Sequence, residues 1–281
     1  MNEYDGICIG AGAAGGYYLL GALDFFYSEN HDKIKNVKVY AGTSIGGIIA
    51  TLLSIGYTPY EILMYSCTFD IANMLVPSLD LKQIFSESWG FISTDELKVY
   101  LGKMILAKMD KIPTFKQLYD KNGNTLVFPT YQIHPTPQIM YMDKDTTPDL
   151  NVLEGLMRTI NIPLIFDKCE QDEAIYVDGA IVDSCPSKYV LANYKCKKIL
   201  SVRLGNSKIN KMKTILDYIK RIISIFEFLQ DHNSDDRVDD VVLTTELEKF
   251  TLNIDVKKRH QYYKTGRNQT YTHFFGKAKA D

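Results

Sequence analysis

The chain has 281 residues, 46% of them hydrophobic and 23% charged, with 32 Lys plus Arg against 34 Asp plus Glu. That apolar content is enough for a sizeable core and excludes disorder for most of the chain. The near-neutral charge argues against a dedicated nucleic-acid binder, which shows a basic excess.

Gly6 to Ile9 is a short apolar run that ends in a glycine-rich turn. Tyr17 to Phe26 reads as a helix, Val37 to Tyr40 as a second strand, and the glycine turn after it leads into an apolar helix reaching Ile55. Strand, glycine loop, helix, strand, glycine turn, helix is the order of a doubly wound sheet. Three capping boxes mark helix starts: Thr58-Pro59-Tyr60-Glu61, Ser93-Thr94-Asp95-Glu96 and Thr114-Phe115-Lys116-Gln117. Asn122-Gly123 signals a turn, and Thr125 to Ile133 a strand in which Pro129 suggests an edge or a bulge. Leu153 to Ile160 is helical in pattern; Ala174 to Val177 and Ile199 to Leu204 are strands. Ile215 to Leu229 is the best amphipathic helix, with Ile215, Ile219, Ile222, Ile223, Phe226 and Leu229 on one face, expected to pack on the sheet, with a seat on a membrane as the alternative. Asp231 to Asp240 reads as a solvated loop. One domain is expected over residues 1–281, with a core at about 5–205 and the elements of 206–281 packed on it.

The five cysteines are odd in number and contain no C-x-x-C, which speaks against a disulfide framework or zinc site and for a reducing compartment. Met1 to Asp5 does not read as a signal sequence, and no apolar run reaches the roughly 18–20 residues of a membrane span. A cytoplasmic location is expected, with peripheral membrane contact as an option.

Two glycine motifs carry the chemistry. Gly10-Ala11-Gly12-Ala13-Ala14-Gly15 fits G-x-G-x-x-G, which taken alone reads as a dinucleotide fingerprint. That reading needs an acidic residue at the end of the second strand to hold a ribose. Here the second strand ends in Tyr40-Ala41-Gly42, and Glu29 and Asp32 precede it. Backbone N–H groups at a helix N-terminus bind an oxyanion as well as a phosphate. Gly42-Thr43-Ser44-Ile45-Gly46 is G-x-S-x-G between a strand and an apolar helix, the pattern of a nucleophile elbow. A serine nucleophile needs a base. A Ser-Asp-His triad could draw on His232, His260 or His273; neither His260 nor His273 has a distinctive loop around it. A Ser–Asp dyad would use Asp178, which ends a strand and is followed by Gly179 and Ala180. Ligands bind at the carboxyl edge of such a sheet.

These residues together resemble the patatin-like phospholipase family. The likeness runs along nearly the whole chain: the glycine loop, the Gly21-Ala22-Leu23 helix step, the elbow with Gly47, and the Thr114-Phe115 helix with its Asn122-Gly123 turn. It continues through Thr147-Pro148-Asp149, Arg158 to Pro163, Asp178-Gly179-Ala180 with Pro186, then Leu252 to Asp255 and Gly266. The resemblance implies a three-layer α/β/α fold with a mainly parallel central sheet. It implies a lipid acyl hydrolase of phospholipase A or lysophospholipase type, with Ser44 as nucleophile, Asp178 as base and an oxyanion hole from the loop at Gly10, Ala11, Gly12, Ala13 and Gly15. No metal or cofactor is implied, and the partners would be an acyl-ester lipid and a transient membrane surface. The family's loop usually carries Arg or Lys before its last glycine; here that place holds Ala14 or Gly15. An inactive relative that binds lipid or a partner is the alternative.

Overall fold

The computed structural model describes residues 1–68, 80, 82, 84–205, 215–230, 235–247, 251, 252 and 254–276, without the side chains of 215–217, 219, 220, 227 and 228. Strand β1 (Gly6–Ile9) enters the glycine loop, a 3-10 turn at Ala13–Gly15, and α1 (Gly16–Asp24). The helix predicted to reach Phe26 instead widens at Phe25–Glu29 into a π-turn. Strand β2 (Val39–Gly42) leads through the elbow into α2 (Ile45–Ser54), followed by α3 (Pro59–Thr68), β3 (Gly90–Ile92), α4 (Asp95–Leu106) and α5 (Phe115–Asn122). Next come β4 (Thr125–His134), β5 (Gln138–Met142), α6 (Val152–Thr159), β6 (Leu164–Phe166), β7 (Cys169–Gln171) and β8 (Ala174–Asp178). Then follow α7 (Ser187–Asn193), β9 (Ile199–Leu204), α8 (Ile215–Phe228), β10 (Val238–Leu243) and α9 (Val256–Phe275).

Among the described residues the main sheet has eight strands in the order β10-β9-β1-β2-β4-β8-β7, with β5 also on β4. The pairs from β10 to β4 are parallel; β5, β8 and β7 are antiparallel additions. Side-chain alternation sorts the strands onto two faces. Ile7, Ile9, Tyr40, Leu126, Phe128, Leu200 and Val202 join the larger core with α1, α2 and α9. Cys8, Val39, Ala41, Val127 and Ile199 join a smaller core under α7, through Val190. Helices on both faces of a mostly parallel sheet make the expected three-layer α/β/α arrangement.

Four local expectations need correcting. The boxes at Thr58 and Thr114 form, but the one at Ser93 does not. There Ser93 Oγ accepts from Asp95 N–H at 3.2 Å, while the Thr94 N–H and hydroxyl both donate to a tertiary carboxylate, Asp167, each at 3.0 Å. Pro129 lies inside an internal strand, where β4 changes neighbours from β2 to β8; the register shift falls at Gln132–His134. The acidic stretch is only partly loop, and residues 231–234 lie outside the described residues. Its end forms β10, where Asp239 accepts from Tyr4 and pairs with Lys198, and Asp240 pairs with Arg203. These carboxylates gain partners only when β10 closes the sheet against β9. Finally, α8 turns Ile223 inward but leaves Ile222, Ile225, Phe226 and Leu229 exposed. Asn253, from the segment noted at 252–255, also lies outside the described residues.

Among the described residues no single helix is long and apolar enough to cross a membrane.

The helices α1 and α9 cross at two glycines. A Cβ on Gly21 would sit 1.9 Å from the Tyr263 carbonyl oxygen, and one on Gly266 would sit 2.0 Å from that of Tyr18. Backbone meets backbone there, so no rotamer change can relieve a side chain. Tyr18 stacks on Tyr262 beside the crossing, with centroids 4.7 Å apart. Gly21→Ala should therefore cost about 3 kcal/mol, as overpacking against main chain. Gly102→Ala, whose Cβ would meet only ordinary contacts at 3.4 Å or more in α4, should be neutral or slightly stabilising. Urea denaturation of the two variants checks the difference.

Candidate active site

The elbow forms because two backbone segments cross where β2 meets α2. Gly42 and Gly46 face each other so closely that a Cβ on Gly42 would lie 2.2 Å from the Gly46 carbonyl oxygen. A Cβ on Gly46 would lie 2.2 Å from the Ile9 carbonyl oxygen of β1. Between them Ser44 takes φ +57° and ψ −123°, a region that L-residues rarely occupy. The strained turn presents Ser44 Oγ at the N-terminus of α2. Ser44 is buried, and its Oγ donates to Asp178 Oδ2 at 2.6 Å.

Asp178 reaches this position by a route the sequence pattern did not suggest. It was expected at the carboxyl edge of a parallel sheet, and it stands at that edge, but the strand that brings it there, β8, is antiparallel to β4. Strand β4 pairs with β2 only through Val127 and then runs on to His134. Strand β8 returns along that extension, from Ile175 beside His134 to Asp178 beside Thr130. Its last residue thus arrives at the edge where β2 ends.

Both the main chain and the carboxylate of Asp178 are held. Asp178 N–H donates to the Asn161 carbonyl at 2.7 Å, and Ala180 N–H donates to Oδ1 at 2.8 Å. Gly179 is needed because a Cβ there would sit 2.2 Å from the Pro129 carbonyl oxygen. The turn that follows ties the other parts together. Thr43 Oγ1 donates to the Asp183 carbonyl at 2.9 Å, and Ala11 N–H donates to the Ser184 carbonyl at 2.9 Å. Burial raises the Asp183 carboxyl above the usual carboxylate range, opposed by the hydrogen bond from Tyr141. Burial likewise pushes the Cys185 thiol up to about 12, which leaves it inert.

In the glycine loop the N–H groups of Gly10, Ala11, Ala14 and Gly15 all donate to carbonyls, those of Val202, Ser184, Thr251 and Gly12. Gly12 and Ala13 N–H have no acceptor among the described residues. Ala13 holds φ +48°, so the chain turns sharply at this point. Of the expected five-residue set, Gly10, Ala11 and Gly15 use their N–H groups to anchor the loop, and only those of Gly12 and Ala13 are unused among the described residues.

Ser44 and Ala13 open into one apolar cavity of about 170 Å³. Its wall includes Leu20, Ile48, Leu52, Leu101, Met104 and Phe166, and none of the described lining residues is charged. Burial raises the Tyr17 and Tyr100 hydroxyls, Tyr100 to about 12, so both stay protonated there. None of the described histidines lines this cavity. His260 contacts the Val256 carbonyl and Cys67, and His273 packs on Phe274; His232 lies outside the described residues. Where a dinucleotide fold would place a ribose-binding acid after β2, the chain places Ser44.

Thr159 was not foreseen. Its hydroxyl accepts from Ser44 N–H at 3.3 Å and donates to the Pro129 carbonyl at 2.7 Å, with the residue fully buried. A lone threonine at the end of α6 carries no sequence signal of such a role; only the surrounding Arg158 to Pro163 segment stood out. The apolar wall from α4 was equally unreadable before folding.

A family model described as patatin-like phospholipase matches residues 7–191. The chain is 30% identical over 228 residues to "Probable lipid hydrolase 463L" of Invertebrate iridescent virus 6, an alignment covering 79% of this chain and 71% of that protein. Its fold is similar to that of VipD from Legionella pneumophila, with a TM-score of 0.61 at 14% identity over 98% of this chain and 67% of that one. It is also similar to the type III effector protein ExoU, with a TM-score of 0.51 at 14% identity, where it spans 96% of this chain and 52% of that one.

Thr159→Val should orphan the buried Ser44 N–H and cost about 1–3 kcal/mol. Thr159→Ser, which keeps the hydroxyl, should cost much less. Chemical denaturation of both variants measures the difference.

Proposed function

The chain belongs to the patatin-like phospholipase family, and on that premise we propose that it is a lipid acyl hydrolase working through a Ser44–Asp178 dyad. The observation that carries this reading is the 2.6 Å bond from Ser44 Oγ to Asp178 Oδ2, made from a strained elbow that faces an apolar cavity. The substrate class is a phospholipid or lysophospholipid ester, whose acyl chain suits a cavity wall without charge.

In the first half-reaction the Ser44 O–H bond breaks and its proton passes to Asp178 Oδ2 while Oγ bonds to the ester carbonyl carbon. The Gly12 and Ala13 N–H groups face the developing oxyanion, aided by the positive end of the helix that starts beside them. Collapse breaks the ester C–O bond; the proton on Asp178 goes to the departing alkoxide and an acyl-Ser44 remains. Water then gives a proton to Asp178 and its oxygen to the acyl carbon, and the fatty acid leaves as Ser44 regains its proton. No step calls on a metal or a cofactor. The role of Ala180 N–H and Asn161 is to keep the carboxylate aimed, so that little reorganisation accompanies the reaction.

Wild-type protein should react with a fluorophosphonate probe at Ser44 and release fatty acid from mixed phospholipid vesicles. Ser44→Ala should abolish both, and Asp178→Asn should slow release by about 10²–10⁴, the usual worth of a positioned base. Gel fluorescence and fatty-acid quantification on the same samples read the two effects. Labelling without phospholipid hydrolysis would point to a different ester, and no labelling of folded protein would favour an inactive, lipid-binding relative.

A further inference from the structure

Helix α8 presents an apolar stripe to solvent. Tyr218, Ile222, Ile225, Phe226 and Leu229 recur at helical spacing, and Ile222, Ile225 and Leu229 are 41%, 50% and 74% exposed. The opposite side is anchored: Ile223, 7% exposed, packs with Ile92, Ile162, Ile165 and Phe166. Solvent-facing apolar groups in such a row mark a surface that meets another apolar phase.

Three observations identify that phase. Ile162 and Phe166, which receive Ile223, also line the catalytic cavity, so one apolar surface runs from the root of α8 to Ser44. The β3–β6 ribbon beneath α8 exposes Trp89 and Leu164, with Lys168 Nζ 4.7 Å from the indole centroid, an aromatic–cation pairing suited to a water–lipid boundary. The sequence of α8 holds two acidic residues, Asp217 and Glu227, and two basic ones, Lys220 and Arg221. Its attachment therefore draws on apolar area and needs no anionic surface.

We propose that α8 seats this chain on a phospholipid bilayer with its apolar stripe in the headgroup region, and that Gln230 ties the seated helix to the catalytic turn. The inference rests on the hydrolase reading for its substrate, not for its surface. Gln230 lies two residues past the end of the helix. Its Oε1 accepts from Ser184 N–H and its Nε2 donates to the Ala180 carbonyl, both at 2.7 Å. Ala180 N–H holds Asp178 and the Ser184 carbonyl holds Ala11. One amide thus clasps the turn between the carboxylate and the glycine loop, and Gln230 is a positioning residue.

The test is flotation of the full chain with phosphatidylcholine vesicles. Wild type should float, equally at low and high salt. Ile222→Asp/Phe226→Asp should float at least tenfold less and release fatty acid from those vesicles at least tenfold more slowly. Its hydrolysis of a water-soluble short-chain ester should stay within twofold of wild type, because neither residue lines the cavity. Ile225→Glu, gentler on the helix, should show the same pattern more weakly. Gln230→Leu should float normally yet lose about tenfold in kcat on the soluble ester with KM unchanged, and Gln230→Glu should recover part of it. Failure of wild type to float, or equal flotation of the variants, overturns the proposal. So does a wild-type dimer that the double variant dissolves without any change in flotation, since a second copy would then cover the stripe. An unchanged kcat in Gln230→Leu removes the coupling. Flotation that depends on the stripe in a protein that no fluorophosphonate labels would leave the surface standing and the hydrolase reading fallen.

Discussion

The contact on which this molecule turns is one short hydrogen bond between side chains 134 residues apart, Ser44 to Asp178. A shift of about 1 Å would lengthen it beyond useful range. The fold prevents that shift by placing both residues at the ends of strands joined through β4. Parallel pairing fixes Ala41 beside Val127, and antiparallel pairing fixes Asp178 beside Thr130. The ten-residue length of β4 is what lets one strand serve both neighbours.

Close backbone approach sets the second constraint. The elbow touches β1, the Asp178 turn touches Pro129, and α1 touches α9, each through a glycine where a Cβ would come within about 2 Å of a carbonyl oxygen. Packing this close leaves no soft layer between the elements, so the positions of Ser44, Asp178 and the glycine loop are coupled. The same crowding explains the strain at Ser44 and Ala13. Neither backbone angle would persist in an isolated peptide, and both are held by surrounding contacts.

Hydrogen bonding then divides labour within the site. In the glycine loop most N–H groups serve as anchors to Val202, Ser184 and Thr251, leaving those of Gly12 and Ala13 without an acceptor among the described residues. Thr159 occupies the Ser44 N–H, and Asn161 and Ala180 occupy the groups around Asp178. The turn at 179–185 reaches every part: elbow through Thr43, loop through Ala11, and α8 through Gln230. A surface helix is thereby mechanically joined to the buried Ser44–Asp178 pair.

The primary sequence by itself determined the glycine turn that carries Ser44, the strand-end acid Asp178 and the alternation of strands and helices. Each of these is written in local pattern: glycine where backbones must meet, serine at a strand–helix turn, apolar period where a face is buried. The family resemblance lay in the same short motifs. What only the tertiary structure decided depends on partners distant in sequence. Asp167 accepted both donors of Thr94, β9 and Arg203 turned an acidic stretch into a strand, and Thr159 found Ser44 N–H. The loop donors could not be ranked until their carbonyl acceptors were in place, and the outward stripe of α8 could not be told from a core face, because hydrophobic period gives the side of a helix and not what lies against it.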